Sequence, residues 1–298
     1  PYTVFSSPDY TLTVNRLRLS NSARAYVEVT HNETIPEIIQ VTKTLDKRKV
    51  SIKGPNASTY TQLTANANDI YYPSGTDGDM FSAYVDVTDY VRNNGNAGLY
   101  HVADIALVEG DGGSTGYYGG WGMVVVYENS QMKWKDITVF DGHAYVAGNT
   151  TVSHTLDVAG FNSAQNGPVN LKLGVMAGEG DRNISGDYFK MRKHSDNTFE
   201  SLNHSGNSTT NFFNSSILTD GARFPDLLNN TGLDISIFDL DNSNNSLIGN
   251  NQTSTRFEYG STQDTYIIFN ITFAVDAYIP ESEGLLSLQS IAGNTANA

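Results

Sequence analysis

Hydrophobic positions along this chain fall in short runs that alternate with polar residues, and no window of a dozen residues keeps an apolar stripe at the 3.6-residue period of a helix. Thr, Val, Tyr and Phe fill the runs, residues that fit a pleated, half-buried surface, while Asn, Ser, Gly and Asp fill the gaps. The pattern predicts strands over 10–19, 25–30, 37–45, 49–53, 81–87, 123–128, 136–140 and 171–176. Further strands are expected over 188–192, 233–238, 253–259 and 266–277. Turn-rich stretches such as 73–79 and 110–116 carry glycines that permit positive φ between them. Short strands with such punctuation predict an all-β chain of antiparallel β-sandwiches, jelly-roll or immunoglobulin-like.

The two halves share a spacing. Shifted by 139 residues, Val50, Ile52, Thr59, Tyr60 and Leu63 fall on Phe189, Met191, Thr198, Phe199 and Leu202. Aromatic pairs follow both segments, Tyr71-Tyr72 and Phe212-Phe213, and each half closes on a long apolar run, 121–127 and 266–278. Two readings stay open: a diverged tandem duplication of one sandwich, and chance similarity between strands separated by similar loops. A length of 298 residues exceeds the usual single domain, so two are expected. The strand-breaking residues within 157–168 place the boundary: a first sandwich over 1–160 and a second over 161–280. Residues 281–298, small and polar around Leu285-Leu-Ser-Leu288, read as an exit linker or a strand donated to a neighbour.

Charge narrows the partners. With 32 acidic against 18 basic side chains, the net charge of −14 repels phosphate backbones and anionic lipid, so nucleic acid is not expected. The absence of cysteine removes disulfides, thiolate metal sites and a cysteine nucleophile. No apolar run approaches the roughly 20 residues of a transmembrane helix. A start at Pro1 without a basic-then-apolar leader is read as a processed secreted protein or a piece of one.

Several phrases carry a family resemblance: Asn68-Asp-Ile-Tyr-Tyr72, Tyr84-Val-Asp-Val-Thr-Asp-Tyr-Val91, Gly119-Gly-Trp-Gly-Met-Val-Val-Val-Tyr-Glu128 and Ile137-Thr-Val-Phe-Asp-Gly142. In the second half stand Gly178-Glu-Gly-Asp-Arg-Asn-Ile-Ser-Gly-Asp-Tyr-Phe189, Asn251-Gln-Thr-Ser-Thr-Arg-Phe257 and Asp276-Ala-Tyr-Ile-Pro280. In these the chain resembles the large surface adhesins of gliding flavobacteria, giant exported proteins of repeated sandwich domains, and archaeal surface proteins carry similar domains. The resemblance implies export by the type IX secretion system and a place on the outer face of the outer membrane. It also implies a role in attachment or gliding beside further domains of the same long protein, with no catalytic motif. The sorting domain of that system is not recognisable, as expected of a fragment.

Gly112-Gly-Ser-Thr-Gly116 matches a nucleophile elbow in letters only, since glycines and an apolar strand follow Ser114 where the elbow needs a helix. The six histidines lack zinc spacing, and His194-Ser195-Asp196 reads as a turn because neighbours along a chain cannot converge as a triad. Calcium fits better. Asp181, Asn183, Ser185 and Asp187 offer oxygens at alternate positions around Gly186, with Glu179 or a distant carboxylate as helper; Asp239 and Asp241 repeat the pattern more weakly. Asp, Asn and Gly are also good turn residues, which is the alternative without metal. For sugar binding, Tyr117, Tyr118 and Trp121 offer faces for pyranose rings. Trp121 and Trp134 are nevertheless expected to pack inward, the first for its apolar strand and the second because it alternates with Lys133 and Lys135. The expected function is that of a non-enzymatic adhesin segment, calcium-stabilised and binding surface glycans or an abiotic surface. The alternative is a filament or sheath subunit assembled by strand donation.

Overall fold

A computed structural model describes residues 2–6, 39–43, 45–71, 80–95, 97–107, 117–148 and 152–280. In chain order its strands are β1 (Tyr2–Ser6), β2 (Ile39–Lys43), β3 (Lys49–Lys53), β4 (Thr61–Thr64), β5 (Ile70–Tyr71), β6 (Ser82–Ala83), β7 (His101–Ala103) and β8 (Lys135–Val146). They continue as β9 (Ser153–Ala159), β10 (Leu171–Gly178), β11 (Asp187–Arg192), β12 (Phe199–Ser201), β13 (Ile217–Leu218), β14 (Leu233–Leu240), β15 (Ser254–Ser261) and β16 (Tyr266–Asp276). Every pairing among the described strands is antiparallel except β13 with β14, so the all-β expectation holds. The expected strands at 10–19 and 25–30 lie outside the described residues.

The chain divides into two units, Pro1–Thr64 with Val87–Tyr117, and Ala65–Asp86 with Tyr118–Ala298. The division does not coincide with the boundary expected within 157–168. That stretch lies inside the second unit, because β8 pairs with β16 and β9 with β15, strands more than a hundred residues further along.

In the first unit β3 is flanked by β4 and β7, and β1 pairs with β2. A short helix, α1 (Thr88–Asn94), lies in a stretch read only as strand and turn. Asp89 in its first turn and Arg92 in its last suit the helix dipole, and Gly95 at φ 97 ends it. Tyr90 of α1 accepts the Gly54 N–H at 2.9 Å and donates to the Ile52 carbonyl at 3.3 Å, tying the helix to β3.

The second unit is a sandwich of a five-stranded sheet, β13-β14-β10-β16-β8, and a four-stranded sheet, β12-β11-β15-β9. Leu171, Leu173 and Val175 of β10 and Ile271, Phe273 and Val275 of β16 supply the core from one side; Val158, Phe189, Met191 and Phe257 supply it from the other. The Phe189 and Phe257 rings stack at 5.0 Å, and Phe257 meets Phe273 of the opposite sheet edge-on at 5.7 Å.

The spacing seen in the two halves has a structural counterpart. Ser51 pairs with Gln62 and Ile52 with Thr61; shifted by 139 residues these become Lys190 with Ser201 and Met191 with Glu200, the observed register of β11 with β12. Each central strand also takes a third on its other edge, β7 in one unit and β15 in the other. The likeness stops there among the described residues. Phe212 and Phe213 are core, whereas Tyr71 pairs across β5 and β6, and Tyr72 is outside the described residues. The apolar run 121–127, counterpart of β16, forms no strand.

Candidate functional site

Two features of the second unit bear on function: an aromatic ribbon and a carboxylate-lined end. The ribbon begins at Tyr118. In β10, Gly178 leaves room for its ring: a β-carbon there would stand 2.5 Å from Tyr118 Cε2. Further along, Gly120 lies against Leu233, and Gly122 against Met176 and Ile235, so residues 118–122 cross the outer face of β10 and β14. Burial first and the nearby Glu179 carboxylate second push the Tyr118 hydroxyl well above the usual phenol range. Beyond Gly122, among the described residues, no sheet strand pairs with 123–128; Met123 and Val124 are half-buried and the residues after them are exposed. Trp121 is 39 % exposed, Tyr127 67 %, and Val125 and Val126 are exposed beside them. Tyr117, the last residue of the first unit, is exposed too.

Inward packing, expected for both tryptophans, is not observed. Trp121 is exposed because its run has no sheet partner. Trp134 is 69 % exposed for a different reason. Lys135 turns toward the buried carboxylate of Asp276 at 2.6 Å, and Lys133, itself exposed, stands 3.8 Å from it, so the buried anion lies on the lysines' side and the tryptophan faces solvent. Alternation placed Trp134 opposite the lysines; the buried anion decided which face was inside.

The carboxylate end forms where β10 runs out. Glu179, at φ 75, follows β10 and is buried. Asp187 opens β11, and its Oδ1 accepts the N–H groups of Phe212 and Phe213 at 2.6 and 2.8 Å. Asp234 lies in β14, and its Oδ1 accepts those of Asn214 and Ser216 at 3.0 and 2.9 Å. Asp264, between β15 and β16, accepts the Asp181 N–H at 2.9 Å. Burial raises all four carboxyls above the usual range: Glu179 to about 8, Asp187 to about 6, Asp234 to about 8 and Asp264 to about 7. Mutual repulsion adds to this, Asp264 and Asp181 acting on Glu179, and Asp187 on both Asp234 and Asp264.

Of the calcium residues expected from the sequence, Asp187 belongs to this end and Asp181 stands exposed at its rim, with Glu179 and Asp264 as the neighbouring carboxylates. Asn183 and Ser185 are exposed between them. Asp239 and Asp241 are at the other end of the sandwich, because β10 pairs with β14 from Gly178 and Leu233 at one end to Leu171 and Leu240 at the other. There Asp239 stands 3.6 Å from Lys172 Nζ, and Asp241 accepts the N–H and hydroxyl of Ser243 as a turn residue does. Asp234 was missed by the sequence reading. Leu233, Ile235 and Ile237 look like the inward face of β14, yet Asp234, Ser236, Phe238 and Leu240 are the buried set, and the ribbon lies over Leu233 and Ile235.

His194-Ser195-Asp196 is a turn, closed by the Asn197 N–H on the Lys193 carbonyl, and Asp196 accepts from Thr198. Ser114 lies outside the described residues. Among the described residues, no three His, Cys, Asp or Glu side chains group closely enough to hold a metal ion, and no helix is long and apolar enough to cross a membrane.

No family model matches the chain, and no curated protein does. Among solved structures it is similar to the dimeric latent PorU of Porphyromonas gingivalis, at 11 % identity and a TM-score of 0.25. That likeness covers 72 % of this chain and 18 % of PorU, and at such a score it carries no argument about activity.

Proposed function

We propose that this chain is a non-enzymatic adhesion segment of a cell-surface protein, in which a rigid sandwich presents an aromatic ribbon to glycans or an abiotic surface. The exposure of Trp134 and Tyr127 carries the reading. An exposed Trp face offers a pyranose ring a large apolar contact with little ordering entropy, and Trp121, Tyr127 and Trp134 stand exposed along one continuous stretch of chain, 121–134. The resemblance to exported adhesins points the same way and supplies the cell-surface setting.

A glycan array, with binding to glass and polystyrene measured alongside, tests this. The chain should bind at least one glycan class or surface, and Trp134→Ala should weaken that binding about tenfold with the melting midpoint nearly unchanged, because an exposed side chain contributes little to stability. Binding to nothing, or binding indifferent to Trp134→Ala, would sink the proposal.

A second reading, a filament subunit assembled by strand donation, draws on one observation: β8 is the edge of the five-stranded sheet. Tyr71 donates to Asp141 and Ser82 hydrogen-bonds His143, so β5 and β6 lean on the later part of that edge only. The strand that would be donated, within 281–298, is outside the described residues. A chain ending at Pro280 should stay monomeric while the full chain polymerises; monomers in both cases, by light scattering, would remove this reading.

A further inference from the structure

The turn 212–216 is held from two sides by buried carboxylates, Asp187 and Asp234, each of which spends one oxygen on consecutive backbone amides. Each second oxygen, Oδ2 in both, has no hydrogen-bond partner. Two neutral oxygens of the same turn, Asn214 Oδ1 and Ser216 Oγ, are also buried without a partner, although Asn214 and Ser216 are each more than nine-tenths buried. Native structures leave few buried polar atoms unsatisfied, and two such oxygens on one turn with two more on the carboxylates that hold it ask for a ligand. Gly180 lies against one of these oxygens. A β-carbon there would meet the Phe213 carbonyl oxygen and stand 2.8 Å from Asp234 Oδ2, so glycine is what lets that carboxylate oxygen approach the chain.

Counter-charge is missing. The buried carboxylate of Asp276 has Lys135 and Lys133 beside it, but among the described residues no ion pair reaches Glu179, Asp187, Asp234 or Asp264. A buried charge without a partner is far costlier than an exposed one. Protonation neutralises each carboxyl and gives it one O–H, which can serve a single neighbouring oxygen, carboxylate or neutral alike. A hard divalent cation satisfies both kinds of oxygen, since calcium takes roughly six to eight oxygen ligands, carboxylate, carbonyl and amide alike. Soft metals are disfavoured by a chain without cysteine.

We propose that the end of the sandwich around Gly180 holds one divalent cation of the calcium class, bound by Asp187 and Asp234 together with the neutral oxygens of the turn 212–216. Asp181, exposed at the rim beside the buried Glu179 and Asp264, adds negative potential there. The site lies beside the start of the aromatic ribbon, where Tyr118 packs against Gly178 near Glu179, but its test does not depend on what the ribbon binds.

Calcium chloride titrated into the chelator-stripped full chain, followed by calorimetry and by thermal melting, tests the proposal. Saturable heat with one ion per chain is expected, and a midpoint raised by roughly 5–10 °C at a hundredfold excess over Kd. Asp234→Asn keeps an oxygen for the Asn214 and Ser216 amides but removes the charge. It should lower calcium affinity at least tenfold and leave the metal-free midpoint unchanged or higher, because the amide resembles the protonated acid. Asp187→Asn provides the same comparison if the first variant does not fold. An absence of heat with an unchanged midpoint in the native chain overturns the proposal, as do both Asn variants retaining the full calcium shift.

Discussion

Replacing Lys135 by Met tests how the sandwich is clamped at the end opposite the carboxylate group. Lys135 opens β8 and places its Nζ 2.6 Å from Asp276 Oδ1 at the end of β16. The same carboxylate accepts the N–H of Asn170 at 3.1 Å and its side-chain amide at 2.6 Å, so three strands are fastened where β8 begins, β16 ends and β10 is about to start. Burial opposes ionisation of Asp276, but the hydrogen bonds from Lys135 and Asn170 outweigh it and hold the carboxyl below the usual range. Stranding one partner of a buried pair costs about 3–5 kcal/mol. Here Lys133 at 3.8 Å and the Asn170 donors remain, so Lys135→Met should cost less, about 2–3 kcal/mol, or a midpoint lower by roughly 5–10 °C. The pH dependence has a definite sign. A depressed carboxyl stabilises above its unfolded value and loses that contribution as pH falls through its folded value, so the gap between native chain and variant should narrow below about pH 4. Calorimetric melts at neutral and acid pH, with Asp276→Asn and the double variant, complete the cycle. A loss below about 0.5 kcal/mol at pH 7, or the same loss at pH 3, would refute the clamp.

Three further outcomes are expected. Phe189→Ala should cost about 3–5 kcal/mol in chemical denaturation, because the ring is buried among Phe212, Phe213 and Phe257. His204, partly buried between Phe212 and Phe238 with Nε2 2.8 Å from Ser236 Oγ, has its pKa lowered by burial to about 4, so it contributes stability above about pH 6.5 that is lost as pH falls toward 4. Discounted for partial solvent access, the step is about 1–2 kcal/mol, and it should vanish from the pH–melting profile of His204→Gln. Gly178→Ala should push the Tyr118 ring off β10 and speed proteolytic cleavage within 118–128 while the sandwich still melts cooperatively; cleavage at the native rate would mean that the ribbon is not held by this contact.

Much of the fold was legible in the residues. Period-two alternation and β-branched runs located β3, β10, β11, β14, β15 and β16 within a residue or two, because burial of one face leaves a mark at every second position. The shared register of the two hairpins was visible as a spacing, since pairing across a tight connection is a local matter. Helix α1 was missed because seven residues hold too little periodicity to stand out from a strand pattern.

What alternation leaves open is which face is covered. In β14 Leu233 and Ile235 turned toward the ribbon while Asp234 was buried; at Trp134 a buried aspartate drew Lys135 in and left the ring out. The apolar run 121–127 had the residues of a central strand, but β16 took the place between β10 and β8. The carboxylate end was illegible for the same reason. Glu179, Asp187, Asp234 and Asp264 are spread over 86 positions, and they meet only because the registers of β10 with β14 and of β11 with β15 bring four strand ends together. Local pattern determined the strands; long-range register, set by what each face finally packs against, decided the chemistry at their ends.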